Sequence, residues 1–206
     1  MATTKALDGR QLRRGETRAR LINSAKSVMA ESSLDGATID EIIQGANVGR
    51  GSFYNHFSSK EDLYVATFDA IISEIGDSFD IGRLQIKDAA EFAAWSIRIL
   101  VKRATDDPEI GWFIVNSAES QRVLEEQIDS RVRAVIEDGV REGRFKLTSP
   151  ELWFTIGAAS TTAFIRGCLE GRFDVSQSAE LAAAMLELAG LSRAEAKDIA
   201  DRCRPE

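Results

Sequence analysis

The stretch Ala37-Thr38-Ile39-Asp40-Glu41-Ile42-Ile43-Gln44-Gly45-Ala46-Asn47-Val48-Gly49-Arg50-Gly51-Ser52-Phe53-Tyr54-Asn55-His56-Phe57 reads as two short helices around a tight break. Thr38 and Glu41 have the spacing of a capping box, in which each satisfies a backbone donor near the other. They open a helix that turns Ile39, Ile42, Ile43 and Ala46 inward. The break falls at residues 46–49, where Asn47 suits a left-handed residue ending the first helix and Gly49 a cap for the second. Val48, Phe53 and Phe57 are the apolar positions of the second helix. Two helices joined in this way form a helix-turn-helix, whose second helix can enter the major groove of DNA. The competing reading is an ordinary helical hairpin with a solvated polar face.

The outward positions of the second helix are Arg50, Gly51, Ser52, Tyr54, Asn55 and His56. Arginine pairs bidentately with guanine and asparagine with adenine, serine meets several edges or a phosphate, and a glycine lets the backbone come close. Arg50 is the best candidate for reading a base. Tyr54, His56 and Lys60 suit phosphate contacts, which set register and affinity rather than sequence preference. Thr38 is expected either to receive a phosphate at a helix N-terminus or simply to cap the helix. His56 has no second polar partner that would make it a catalytic base, and no catalytic residue is expected.

Charge divides the chain in the same place. Residues 1–60 hold nine Lys and Arg against six Asp and Glu, a net of +3, while the remainder holds 17 against 27, a net of −10. The total of −7 therefore hides a basic N-terminal end, the kind of asymmetry that accompanies a nucleic-acid-facing segment. Residues 1–14 are expected to be a flexible basic arm, with Lys5, Arg10, Arg13 and Arg14 as candidates to reach the minor groove or the backbone. The favoured reading of residues 1–12 is a disordered tail, which leaves Arg13 and Arg14 as the contributors.

Helical punctuation continues on both sides. Leu21, Ile22, Ala25, Val28 and Met29 give one apolar face to a helix over about residues 16–32. Ser58 with Glu61, Asp88 with Glu91 and Ser192 with Glu195 are N-terminal capping pairs. Pro108 and Pro150 each sit at a first helical turn, where a missing N–H costs nothing. Gly36, Gly76, Gly82, Gly143, Gly171 and Gly190 are expected between helices or near their ends. No run alternates as a strand does, so the fold class is all-α.

Several functions are excluded by what the sequence lacks. The longest uncharged stretch, Leu152 to Ile165, is too short to span a bilayer, which needs roughly 20 apolar residues. No secretory apolar block opens the chain. Cys168 and Cys203 form no CxxC pattern and His56 is the single histidine, so no metal site, no cofactor and a reducing, cytoplasmic location are expected.

Thr38, Val48, Phe53-Tyr54, His56-Phe57 and Ser59-Lys60-Glu61 together resemble the DNA-binding domain of the tetracycline-repressor (TetR) family of bacterial regulators, over about residues 17–63. The sequence departs from the family at Ile43, Asn47 and Gly49, where alanine, glycine and serine are usual. The resemblance implies a helix-turn-helix domain over residues 15–62 and a helical regulatory domain over 63–206. It also implies double-stranded operator DNA, palindromic because a homodimer reads it, and a small-molecule effector as partners, with no membrane. The expected protein is a repressor released from its operator by its ligand.

The sequence adds candidates for those roles. Small residues Gly157, Ala163 and Gly167 allow close helix approach, and Leu181, Met185 and Leu188 offer a second apolar face, so a two-fold four-helix interface is expected there. The alternative is plain core. Trp95, Trp112, Phe113 and Trp153, with Asn116, Ser117 and Thr161 as polar anchors, are candidate pocket residues. Arg98 and Arg166 stand in apolar helices and are candidates to meet an acid. The rival functions are a helical adaptor without a DNA role and a small helical enzyme using His56.

Overall fold

A computed structural model describes residues 2–116 and 133–203, which form helices, turns and loops and no strand. In chain order the helices are α1 (Ala2–Gly36), α2 (Ile39–Gly45), α3 (Arg50–Tyr54), α4 (Lys60–Gln85), α5 (Ala89–Asp106) and α6 (Pro108–Asn116). They continue with α7 (helical over 133–141), α8 (Pro150–Leu169), a 3-10 turn at Val175–Gln177, α9 (Ser178–Leu188) and α10 (Arg193–Arg202). The chain divides into two compact units, Met1–Ile71 and Ile72–Glu206, with α4 running from the first into the second. The division lies further along α4 than the expected boundary at 62/63.

The first unit is held by apolar burial, because α2 and α3, at 7 and 5 residues, are too short to persist alone. Leu21, Ala25 and Met29 of α1, Ile42 and Ala46 of α2, Phe53 and Phe57 of and after α3, and Leu63 and Phe68 of α4 are all buried. Each large side chain among them contributes about 1.5–3 kcal/mol. Ser24 Oγ of α1 donates to Ile42 O at 2.8 Å, and a Cβ added to Gly45 would lie 2.4 Å from the Ser24 hydroxyl. Gly45 is thus what lets α1 and α2 approach.

Three local expectations change. Residues 2–14 are helical and continuous with α1 rather than an unstructured arm. Ala, Leu, Lys, Gln and Arg there outweigh the cost of Gly9 and Gly15, and no proline interrupts them. The cap of α4 is Ser59, whose Oγ accepts from Asp62 N at 3.1 Å, while Asp62 Oδ2 takes the amide and hydroxyl of Ser58. The device is there, one residue later than the Ser58–Glu61 pair. Gly76 and Gly82 lie inside α4, and Gly82 does so because the Trp95 ring occupies the place a Cβ would take, at 2.6 Å.

The second unit packs α5, α7, α8, α9 and α10 around Phe92, Val135, Ile136, Phe145, Trp153, Met185, Leu186 and Ile199. The caps expected from Asp88 and Ser192 are made, and Ser149 and Asp107 cap α8 and α6 ahead of Pro150 and Pro108. Arg144 joins three segments, with Nε 2.9 Å from Asp88 Oδ2 and Nη1 2.6 Å from Glu195 Oε1. Burial opposes its charge, yet the bonds to Glu195 and Asp88 prevail and hold its pKa above the ordinary value. Arg98 Nη1 donates to Ala200 O at 2.6 Å and Cys203 O at 3.0 Å, closing the end of α10.

Candidate nucleic-acid interface

Helices α2 and α3 meet through a turn whose backbone is set by one residue. Asn47 has φ 52°, the left-handed conformation expected of it and the one positive φ of a non-glycine residue among those described. A short polar side chain tolerates this where a branched one does not. Asn47 N donates to Gln44 O and Val48 N to Ile43 O, both at 3.0 Å, so α2 stops here. Gly49 then serves as the N-cap of α3, in extended conformation. Phe53 is fully buried and meets Phe57 at 6.1 Å between ring centres, which fixes the roll of α3. With Phe53 inward, Arg50, Gly51, Tyr54 and Asn55 are exposed and Ser52 and His56 half-buried.

That arrangement brings the expected reading residues onto one surface. Nothing lies within 4 Å of a Cβ placed on Gly51, so the first turn of α3 is open to close approach. Arg50 Nη1 lies 3.4 Å from Asp40 Oδ1 of α2. The Tyr54 ring packs edge-on against Phe53 at 5.2 Å while remaining half exposed. Arg18 of α1 lies over the Phe57 ring at 5.2 Å, so α1 flanks the end of α3. Burial, then the charges of Arg14 and Arg18, push the His56 pKa below its ordinary value. Residues 11–16 of α1 are exposed on all sides and include Arg13 and Arg14.

Two of the candidate residues have structural duties, that of Thr38 expected and that of Lys60 not. Thr38 makes the full capping box. Its Oγ accepts from Glu41 N at 3.2 Å, and its amide and hydroxyl donate to Glu41 Oε2 at 2.9 and 2.7 Å. Those hydrogen bonds lower the Glu41 pKa. Lys60 Nζ donates to Ala37 O at 3.0 Å, tying the start of α4 to the loop ahead of α2. A lysine four residues past His56 gave no sign of that partner 23 positions away.

The candidates in the second unit separate into core and surface. Trp153 is core, its Nε1 donating to Met185 O at 2.8 Å and its ring stacked on Phe145 at 6.0 Å. Phe113 is buried as well, whereas Trp95, Trp112 and Asn116 are half-buried. Thr161 is buried on α8, and Ser117 lies outside the described residues. Arg166 Nη2 donates to Val115 O at 3.2 Å, closing the end of α6. Of the interface candidates, Met185 is buried within the chain and Gly167 is covered by its own Phe173, 2.2 Å from where a Cβ would stand. Neither offers a surface to a second copy. Leu181 packs against the core, Gly157 faces Met185, and Ala163 and Leu188 are exposed.

Among the described residues no group of His, Cys, Asp and Glu is placed to hold a metal, and no helix is long and apolar enough to cross a membrane. The fold and this surface define a helix-turn-helix DNA-binding protein with a larger helical second unit. Residues 21–67 match the family profile of bacterial regulatory proteins of the tetR family, and residues 88–202 match a tetracyclin repressor-like C-terminal domain. The chain belongs to the tetracycline-repressor family of transcriptional regulators. The crystal structure of RolR with resorcinol bound is 37% identical, with a TM-score of 0.74 over 95% of this chain and 98% of that one. The transcriptional regulator FadR of Bacillus subtilis, solved in complex with stearoyl-CoA, shares the fold at 16% identity, with a TM-score of 0.68 over 82% and 98%. YhgD of Bacillus subtilis, an HTH-type transcriptional regulator, is 26% identical over 64% of this chain and 73% of its own length.

Proposed function

We propose that the chain acts as a homodimeric repressor that occupies a palindromic operator and leaves it when a small hydroxylated aromatic ligand enters the second unit. The observation that carries the ligand class is the likeness, over nearly the full length, to RolR, whose structure holds resorcinol. In this reading Arg50 reads a base, with Ser52 and Asn55 beside it. Tyr54 and His56 meet phosphates, and Lys5, Arg10, Arg13 and Arg14 add backbone contacts from the start of α1. The ligand is held near the facing parts of α6 and α8 by Trp112, Asn116 and Thr161, a set of one ring and two polar anchors suited to such a molecule. Trp153 and Phe113 serve the core, and Trp95 fills the space over Gly82.

The dimer forms through an apolar stripe of α8. Leu152, Ile156, Ala159 and Ala163 recur at three- and four-residue spacing and are exposed, as is Leu188 of α9. Pairing this face about a two-fold axis gives two recognition helices, whose half-sites in such dimers lie about 34 Å apart. Release requires only that the ligand prefer one separation of the two helices over the other, and α4, shared by both units, is the element that transmits it.

The test selects bound sequences from a randomised duplex library, footprints the best across a salt series, and repeats the footprint with resorcinol. Protection of a palindrome that resorcinol abolishes is the expected result. Absence of sequence-selective protection at moderate salt, with the dimer intact, sinks the regulator reading. Protection that resorcinol and related phenols leave unchanged sinks the ligand class alone. Arg50→Ala should cost about 1–3 kcal/mol on the selected site and relax preference at one base pair.

A further inference from the structure

The first turn of α3 carries a pairing that links the two helices of the motif. Arg50 Nη1 lies 3.4 Å from Asp40 Oδ1, and both side chains are more than half exposed, at 60% and 70%. An ion pair in that setting contributes little to folding, because water screens it and two long side chains must be held to make it. Its geometry has a different use. The contact is one of charge at ion-pair distance, which leaves the donors of the five-donor fork for a partner with two acceptors, as guanine presents in the major groove. The backbone that carries Asp40 is fixed, since it lies in the first turn of a helix whose start is closed by the Thr38–Glu41 box. Among the described residues nothing lies within 4 Å of a Cβ placed on Gly51, the next residue of this turn.

We propose that Asp40 is a specificity-determining positioning residue: it pairs with Arg50 in the free protein and holds the guanidinium aimed at one base pair. The proposal rests on the reading of Arg50 as the base-contacting residue. Arginine surrenders considerable rotamer freedom when it docks on a base edge, and a side chain already restrained surrenders less. Asp40 also exerts an effect of opposite sign, since a carboxylate near the DNA backbone repels phosphates. Repulsion acts on every sequence alike, whereas orientation acts at one position. The two effects therefore separate in a base-preference measurement.

The experiment uses the full chain and the duplex selected by the wild-type protein, with each base pair varied in turn, for Asp40→Ala, Asp40→Asn, Arg50→Ala and Asp40→Ala/Arg50→Ala. Both Asp40 variants are expected to reduce discrimination about three- to tenfold at the pair that Arg50→Ala relaxes, and to leave the other positions unchanged. In the Arg50→Ala background, Asp40→Ala should alter no base preference. Uniformly tighter binding of all duplexes by Asp40→Ala, with discrimination intact, overturns the proposal and leaves only repulsion. So does an equal loss of discrimination with and without Arg50. If Arg50→Ala itself relaxes no position, the underlying reading of Arg50 fails, which is a distinct result.

Discussion

His56 shows how a single residue is decided by its surroundings rather than its type. Burial and the nearby guanidinium groups of Arg14 and Arg18 lower its pKa, so the imidazole of the free protein is neutral near pH 7. The unfolded chain holds that proton more readily, so this group's contribution to stability is present above about pH 6.5 and falls away as acid protonates the unfolded form. A DNA phosphate reverses the balance by favouring the cation. If His56 meets a phosphate, binding takes up a proton and operator affinity rises as pH falls through this range. Between pH 7.5 and 6.0 the gain should be about two- to fivefold for the wild type and absent in His56→Gln, as measured by fluorescence anisotropy at fixed salt. Equal pH dependence in both proteins would remove His56 from the interface. The sequence showed Asn47, Gly49 and Phe53 correctly because backbone sterics and apolar periodicity are local. It did not show the carbonyl of Ala37 under Lys60, since that contact depends on how α4 is placed.

Among the elements, α2 rests on a contact that glycine alone permits. Gly45→Ala sets two effects against each other. Alanine is about 1 kcal/mol better in a helix, but its Cβ would lie 2.4 Å from Ser24 Oγ and dislodge the hydroxyl from Ile42 O. Because the clash is with a hydroxyl that can rotate away, its cost is that of one hydrogen bond, roughly 0.5–1.5 kcal/mol, and the two effects nearly cancel in the protection of α2 amides by hydrogen exchange. In a Ser24→Ala background, where that bond is already gone, Gly45→Ala should show the full helix gain; no gain there would place strain elsewhere. Helix starts were legible because a capping residue and its partner lie within one turn. The exception at Ser58 and Ser59 follows from two adjacent serines and two adjacent acids, which fit the same pattern in either register. The reach of α1 was missed for a related reason: basic charge and two glycines gave no apolar period, yet residues of good helix propensity extend a helix already begun.

For the whole molecule, the −7 charge averages a basic first part and an acidic remainder, and the division into two units gives that contrast a structural basis. The stripe on α8 yields the prediction at this scale. Ile156→Arg, at an exposed position, should leave the helical circular dichroism unchanged while converting a dimer to a monomer in sedimentation. Operator affinity should fall by at least about 100-fold, because one half-site is then bound alone. A dimer that survives this substitution lies on another face. Small-residue and apolar spacing picked out α8 and α9, but it could not separate Gly167 and Met185, which are buried within their own chain, from Ala163 and Leu188, which are exposed. That distinction depends on which neighbour covers a face, and no single helix contains it. Arg98 carries a consequence of a different kind. Its carbonyl acceptors lie 102 and 105 residues later in the chain. At about 5–20 residues per second, a ribosome needs about 5–20 s to supply them. The DNA-reading unit, Met1–Ile71, is synthesised before that wait begins, so each newly made molecule can finish its reading end while its sensing end still lacks the last piece.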